Sequence, residues 1–373
     1  MLKDSLIYVA GHRGTAGSAI LEGLLKQGFN NIITKTHAEL DLTNQKAVEE
    51  FFASQKIEFV FLAAAKLAHL GQFEPALVLY ENLMIQNNIL NASFKNGVKK
   101  LLFFGSAWMY PKNATNPIKE DTLLSDKLDS VATPYALAKI AGVKLCEAYN
   151  DEFKTEFLSL ALANLYGQTK DFNFKTAKVL PAMLRKFHLA KLLSQNDEKG
   201  VLEDIWLRDS LKLNNLSEAK EYLAKFGVSE KSVEIWGSGK VRREFIHSED
   251  LADAAVYIMQ NINFKQIKSE NSHLNVGSGE VLNIKELAFL IRDIVGFEGE
   301  VVFNTSKPDS TMDRVLDNSK INALGWKAKI NLEEGVRKMY QWYHTRGGGG
   351  EPFIKKMYLK GILGRGVKVG LGF

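Results

Sequence analysis

The feature that most limits what this chain can fold into is an alternation. Short, continuously apolar runs take turns with segments of helical spacing over roughly the first 170 residues. LIYVAG (6–11), NIIT (31–34), EFVFLAAA (58–65), KKLLFFGS (99–106) and the start of FLSLALANLYG (157–167) read as strands. Residues 18–27, 45–54, 76–96 and 134–152 carry helical spacing; Ile20, Leu21, Leu24 and Leu25 are the apolar positions of the first. Strands apolar at every position suit a parallel sheet covered on both faces. The repetition predicts an α/β fold with a doubly wound parallel sheet. Beyond about Asn173 the pattern loosens into mixed helices, loops and short strands, which predicts a smaller C-terminal α/β unit.

The first strand ends in GHRGTAG, so Gly11, Gly14 and Gly17 form GxxGxxG between strand and helix. Glycines there allow a tight turn and let a pyrophosphate approach the backbone at a positive helix end, as in a Rossmann dinucleotide site. Such a loop alone is a weak signal; its position in a strand-turn-helix strengthens it. NAD enzymes usually carry Asp or Glu just after the second strand, for the ribose 2′-hydroxyl. Here Thr34, Lys35, Thr36 and His37 follow, with Glu39 and Asp41 only later, and Arg13 adds a cation in the loop. Cations without a nearby carboxylate predict NADP(H). The plain alternative is that Lys35 and His37 are solvated surface residues.

Tyr135 and Lys139, in TPYALAK, stand at i and i+4 on a predicted helix and share a face. An ammonium beside a phenol stabilises the phenolate. Ser106, ending a predicted strand, can hydrogen-bond a substrate carbonyl while Tyr135 passes it a proton and Lys139 holds the nicotinamide ribose. Together these three predict hydride transfer between a nicotinamide and a carbonyl or alcohol. The alternative is a capping serine and two surface residues.

Composition narrows the setting. No run of about 18 apolar residues occurs, so no membrane span is expected. The start MLKDSLIYVAG lacks the pattern of a secretory signal, and one cysteine, Cys146, permits no intrachain disulfide; a cytoplasmic location is expected. The net charge of +5 is mild, with no concentrated basic stripe, so nucleic acid is not expected as a partner. His12, His188 and His247 do not form a metal-like cluster, and no metal is expected.

From about residue 5 to 343 the chain resembles the GDP-L-fucose synthases, which are extended short-chain dehydrogenases/reductases. The stretches that carry the resemblance include VAGHRGTAGSAI, FLAAAK, NNILNAS, KKLLFFGS, YPK, PYALAKIAGVKLCEAYN, NLYG, LPAMLRKFH, WGSG, REFIH, LNVGSG and SKPD. The resemblance implies a Rossmann unit over mainly 1–172 and a substrate unit over mainly 173–343, with segments returning to the first, in a homodimer. It implies the reaction class too: epimerisation of a GDP-4-keto-6-deoxymannose at C3 and C5, then reduction at C4 by NADPH. Ser106, Tyr135 and Lys139 fall on the reductase triad. Gly11, His12, Arg13, Gly14, Thr15, Ala16, Gly17, His37, Asp41, Leu42, Ala63, Ala64, Ala65, Lys139, Leu162, Asn164, Leu165 and Lys178 fall on cofactor positions, with His37 replacing an arginine. Ser106, Trp108, Asn164, Lys186, Trp236, Arg243, Asp309 and Arg314 fall on positions around the GDP-sugar. Lys186 replaces an arginine there and Arg314 a lysine.

The departures change the expected activity. The family's epimerisation uses a cysteine and a histidine; Trp108 stands at the first position and Lys178 at the second. An indole exchanges no proton near neutral pH. The resemblance therefore implies a stand-alone C4-ketoreductase, such as acts on GDP-4-keto-heptoses in bacterial capsule pathways. The rivals are a bifunctional epimerase-reductase, a sugar dehydratase and a non-catalytic cofactor-binding regulator. Ala107, Trp108 and Met109 occupy the space where a dehydratase carries Thr-Asp-Glu, and a regulator would be expected to have lost Tyr135 or Lys139. An insertion at about 191–232 includes LSEAKEYLAKFG, which reads as a capped helix ending at Gly227. It either covers the substrate mouth or extends an interface, or is a solvated addition. GGGG at Gly347–Gly350 lies in a tail, 344–373, expected to be flexible or appended.

Overall fold

The computed structural model describes residues 1–67, 74–169, 171–307, 309 and 313–346, with only the backbone of Arg346. The order of elements begins β1 (Ile7–Ala10), α1 (Thr15–Lys26), β2 (Ile32–Ile33), α2 (Gln45–Ser54), β3 (Phe59–Leu62), α3 (Pro75–Lys95), β4 (Lys100–Phe104), α4 (Thr133–Phe153), β5 (Phe157–Leu162) and β6 (Asn164–Tyr166). It continues with α5 (Val179–Ser194), α6 (Glu198–Asp209), α7 (Leu216–Ala224), β7 (Ser232–Trp236), β8 (Arg242–His247), α8 (Ser248–Asn261), α9 (Phe264–Ile267) and β9 (Leu274–Val276). Then come β10 (Val281–Asn283), α10 (Ile284–Val295), β11 (Glu300–Asn304), α11 (Ser319–Ala323) and α12 (Leu332–Arg346). Helix α12 runs three residues past the expected start of the tail at 344; the rest of that tail, from Gly347, lies outside the described residues.

The main sheet has the order β2-β1-β3-β4-β5-β9, and every pairing in it is parallel. Every residue of β1, β3, β4 and β5 is buried. That is why these strands read as unbroken apolar runs: α1 packs with α8, and α2 with α3 and α3 with α4, as the helical covering of the sheet. From β1 the chain winds first to β2 and then, through β3, in the opposite direction. Ligands of open α/β sheets bind at such a reversal, outside the carboxyl ends of the strands.

A second apolar core gathers Tyr166, Leu184, Phe187, Leu193, Ile205, Leu223, Ile291 and Met339 among its buried residues. Around it lie a sheet of order β10-β8-β6 and the parallel pair β11-β7. The insertion is part of this core, not a solvated addition: Val201, Ile205, Ala219, Leu223 and Val228 are buried. Helix α7 is capped by Asn215, whose side chain accepts from Glu218 N at 3.0 Å, and Gly227 follows with φ +70°.

Arg185 of α5 ties the insertion down. Its side chain is fully buried and donates from Nε to Asp204 (2.7 Å) and from Nη1 and Nη2 to Asp209 (2.8 and 2.7 Å). Burial opposes its charge, but the Asp209 and Asp204 carboxylates overcome that and raise the guanidinium above its ordinary value. Nη1 also donates to Phe172 O (3.0 Å), Asn173 donates to Arg208 O (3.1 Å), and Phe174 stacks on Phe226. The insertion thus grips the segment 172–174 that leads into Lys178.

Candidate active site

Gly11, Ala63–Ala65, Ser106 and Asn164 follow β1, β3, β4 and β5 in turn, so four strand ends present them along one edge of the sheet. Gly11 has φ +81°, and a Cβ on it would lie 2.6 Å from Ala64 N; a Cβ on Gly17 would lie 2.2 Å from Gly11 O. No side chain fits at either place, and the backbone forms a cradle at the N-terminus of α1. Helix α1 starts at Thr15, not at Ser18 as the spacing predicts, which puts Gly17 in its first turn. His12 is buried, Thr15 and Ala16 are half-buried, and Arg13 is exposed.

The two carboxylates after β2 are committed to their own turn. Glu39 accepts from Thr36 N and Oγ1, both at 2.7 Å, and those bonds hold its carboxyl below the ordinary value. Asp41 accepts from Thr43 Oγ1 and N at 2.7 and 2.9 Å, with the same consequence. Lys35 lies 3.9 Å from Glu39, and the exposed His37 3.9 Å from Asp41. Leu42 accepts at its carbonyl from Asn88, and Leu162 and Leu165 flank the crossing from β5 into β6.

Ser106 caps a short 3-10 turn, Ala107–Met109, and its Oγ accepts from Trp108 N at 3.3 Å. That contact uses an oxygen lone pair and leaves the hydroxyl proton for another acceptor. Helix α4 packs on the same turn. Gly142 lets it approach β4, since a Cβ there would lie 2.3 Å from the Phe103 ring. Lys139 is consequently buried, its ammonium 4.8 Å from the Phe103 ring centre and 5.7 Å from that of Tyr135. Burial pushes Lys139 down to about 7 and the partly buried Tyr135 up to about 12. At neutral pH Tyr135 is therefore a phenol with a proton to give.

Among the candidate cations, Arg314 reaches this turn, donating to Ala107 O and Tyr110 O. Arg243 and Arg314 are buried neighbours joined by a backbone bridge. Burial, and then the charge of Arg314, lower Arg243 to about 10; burial lowers Arg314 as well. Lys186 donates to Glu234 O at 2.9 Å, and burial lowers its ammonium to about 8. Lys178 caps α5 with its side chain reaching solvent, and the surrounding protein lowers its ammonium. Trp236 is exposed with Lys307 5.3 Å from its ring centre, and Asp309 anchors the next turn by accepting from Ser238 N and Oγ, both at 2.8 Å. Asn164 donates to Glu244 O at 2.9 Å.

Sequence reasoning missed the scaffold of this site. Glu244 is fully buried and accepts from Leu316 N, Gly279 N and Asn318, gathering three segments around β8. Tyr110 Oη meets His273 Nε2 at 2.7 Å and donates to Asn275 Oδ1 at 2.5 Å, beneath the Trp108 turn. A carboxylate inside the REFIH strand was the one available signal. Among the described residues no group of three or more His, Cys, Asp or Glu could hold a metal, and no helix is long and apolar enough to cross a membrane.

Comparison with known proteins adds the family. Residues 7–209 and 214–277 match the model of the NAD dependent epimerase/dehydratase family. The chain belongs to that family. Among its relatives, GDP-L-fucose synthase 1 of Arabidopsis thaliana is 40% identical over 343 residues, 91% of this chain and 94% of that protein. A GDP-6-OMe-4-keto-L-xylo-heptose reductase from Campylobacter jejuni is 55% identical, with a TM-score of 0.87 over 93% of this chain and 99% of that one. A GDP-mannoheptose C4 reductase from the same organism, with NADP bound, is 54% identical, with a TM-score of 0.83 over 92% and 99%. This family member therefore has the Rossmann-like fold that its strand pattern predicts.

Proposed function

We propose that the chain is an NADP(H)-dependent C4-ketoreductase of a GDP-linked 4-keto sugar, a deoxyhexose or heptose, without 3,5-epimerase activity. The reading includes a cytoplasmic homodimer serving bacterial surface-polysaccharide synthesis, residues 1–172 mainly holding cofactor and 173–343 mainly holding substrate. The observation that supports it is that helix α4, which bears Tyr135 and Lys139, packs on the turn capped by Ser106, and that this turn carries an indole at Trp108.

The glycine cradle fits the cofactor's pyrophosphate, because Gly11 and Gly17 leave a space no side chain can enter. Arg13 and His37 suit the 2′-phosphate, and Lys139 the nicotinamide ribose. NADPH, when bound, supplies the hydride. Ser106 donates its hydroxyl proton in a hydrogen bond to the C4 oxygen, and Tyr135 delivers its phenolic proton to that oxygen. The Lys139 ammonium stabilises the phenolate left behind. Arg243, Arg314 and Lys186 supply positive charge for the diphosphate, and the exposed Trp236 a face for the base.

The test is NADPH oxidation with a panel of 4-keto sugars linked to GDP, UDP or dTDP. Turnover confined to GDP-linked ketones is expected; equal turnover of UDP-linked ones sinks the reading. The rival reading, the bifunctional epimerase-reductase, is argued against by Trp108 and Lys178, which stand where the family has its cysteine and histidine. Reaction in D₂O separates the two: a pure reductase adds no enzyme-dependent deuterium at C3 or C5, whereas an epimerase exchanges both.

A further inference from the structure

Arg314 occupies an unusual position between backbone, ring and charge. Its Nη1 donates to Ala107 O at 3.0 Å and Tyr110 O at 3.2 Å, the two carbonyls on either side of Trp108 and Met109. The same guanidinium lies 4.8 Å from the centre of the Trp108 ring. It is 3% exposed, yet among the described residues Nε and Nη2 have no hydrogen-bond partner. A buried donor without an acceptor is costly, and a guanidinium edge fits an oxyanion.

The carboxylates nearby do not supply that acceptor. Asp313 is held by Arg242 N and Nε at 3.0 and 2.8 Å, and Asp129 acts on Arg314 through space. The neighbouring cation, Arg243, adds like charge. The backbone around Arg314 is fixed. Ile118 donates to Val315 O at 2.7 Å, Asp317 to Ile118 O at 2.8 Å, and Val315 to Asn116 Oδ1 at 2.8 Å. The side chain is thus a short strut from a rigid base to the turn that carries Trp108.

We propose that Arg314 is a positioning residue that couples the substrate's diphosphate to the placement of Trp108. A phosphate oxygen on the Nε/Nη2 edge fixes the guanidinium. The fixed guanidinium holds the indole by its face and holds the turn by the carbonyls of Ala107 and Tyr110. Trp108 then acts as a wall of the sugar pocket that is set only when the nucleotide end is seated. This rests on the GDP-sugar reading above. Coupling is reciprocal, so whatever the diphosphate does for the indole, the indole does for the diphosphate.

Inorganic pyrophosphate is the probe, because it lacks the base and the sugar. Calorimetric titration of the full chain, Trp108→Ala, Arg314→Lys and the double variant forms a cycle. Trp108→Ala is expected to weaken pyrophosphate binding about 3- to 30-fold, the range of a desolvated cation–ring contact, and to add little once Arg314→Lys is present. Tryptophan fluorescence gives a second readout: pyrophosphate should change the signal of the unmodified chain and not that of Trp108→Phe. Equal pyrophosphate affinity with and without Trp108 overturns the coupling, even if Arg314→Lys binds too weakly to measure. An unmodified chain that binds neither pyrophosphate nor GDP overturns the nucleotide-sugar reading itself.

Discussion

Replacing Arg185 by methionine removes the cation that joins α5 to α6, while methionine keeps much of the volume. Asp204 and Asp209 are then left nearly buried without a cation, their side chains 9% and 4% exposed. Breaking a buried pair by removing one partner costs about 3–5 kcal/mol. With an unfolding entropy of about 2 cal/mol/K per residue over the chain to Arg346, that is a fall of about 4–7 °C in Tm if unfolding is one transition. Because Arg185 also holds Phe172 O, on the segment that leads into Lys178, the KM for NADPH should rise as well. Thermal denaturation monitored by circular dichroism is the assay, followed by steady-state kinetics. A variant within 1–2 °C of the parent would refute the reasoning.

Three further outcomes follow from the site. Tyr135→Phe is expected to lose about 10²–10⁴-fold in kcat with NADPH affinity intact, which single-turnover kinetics and fluorescence titration check. In the proposed mechanism reduction needs the Lys139 ammonium, whose value is lowered to about 7 by burial, so kcat is expected to fall as pH rises past that value; a profile flat to pH 9 refutes that role. Arg13→Ala is expected to weaken NADPH and leave NADH nearly unchanged, measured by titration with both cofactors.

The legible part of the fold was the part built by one rule. Helix α2 appears over the residues its spacing predicts, and the buried strands of the main sheet read plainly because both their faces are covered. Helix α1 was placed late because Gly14 and Gly17 look like a turn; tight packing against Gly11, not turn formation, requires Gly17. In the site, Tyr135 and Lys139 were visible because helical spacing makes i and i+4 neighbours. Arg185, Glu244 and the pairing of Arg314 with Trp108 were not visible. A charged residue reads as surface until a distant partner is known, and their partners come from other segments.

The clasp between residues 116–118 and 313–317 has a consequence for how the protein is made. Asn116 and Asp313 are 197 positions apart, yet their bond helps fix the turn beyond Ser106. During synthesis the parallel strands β1 to β5 emerge long before that clasp does. The nascent chain can assemble much of its main sheet while the turn after Ser106 still lacks its support. The brace arrives late, so a chain stalled before residue 313 carries Ser106, Tyr135 and Lys139 without the support of that clasp.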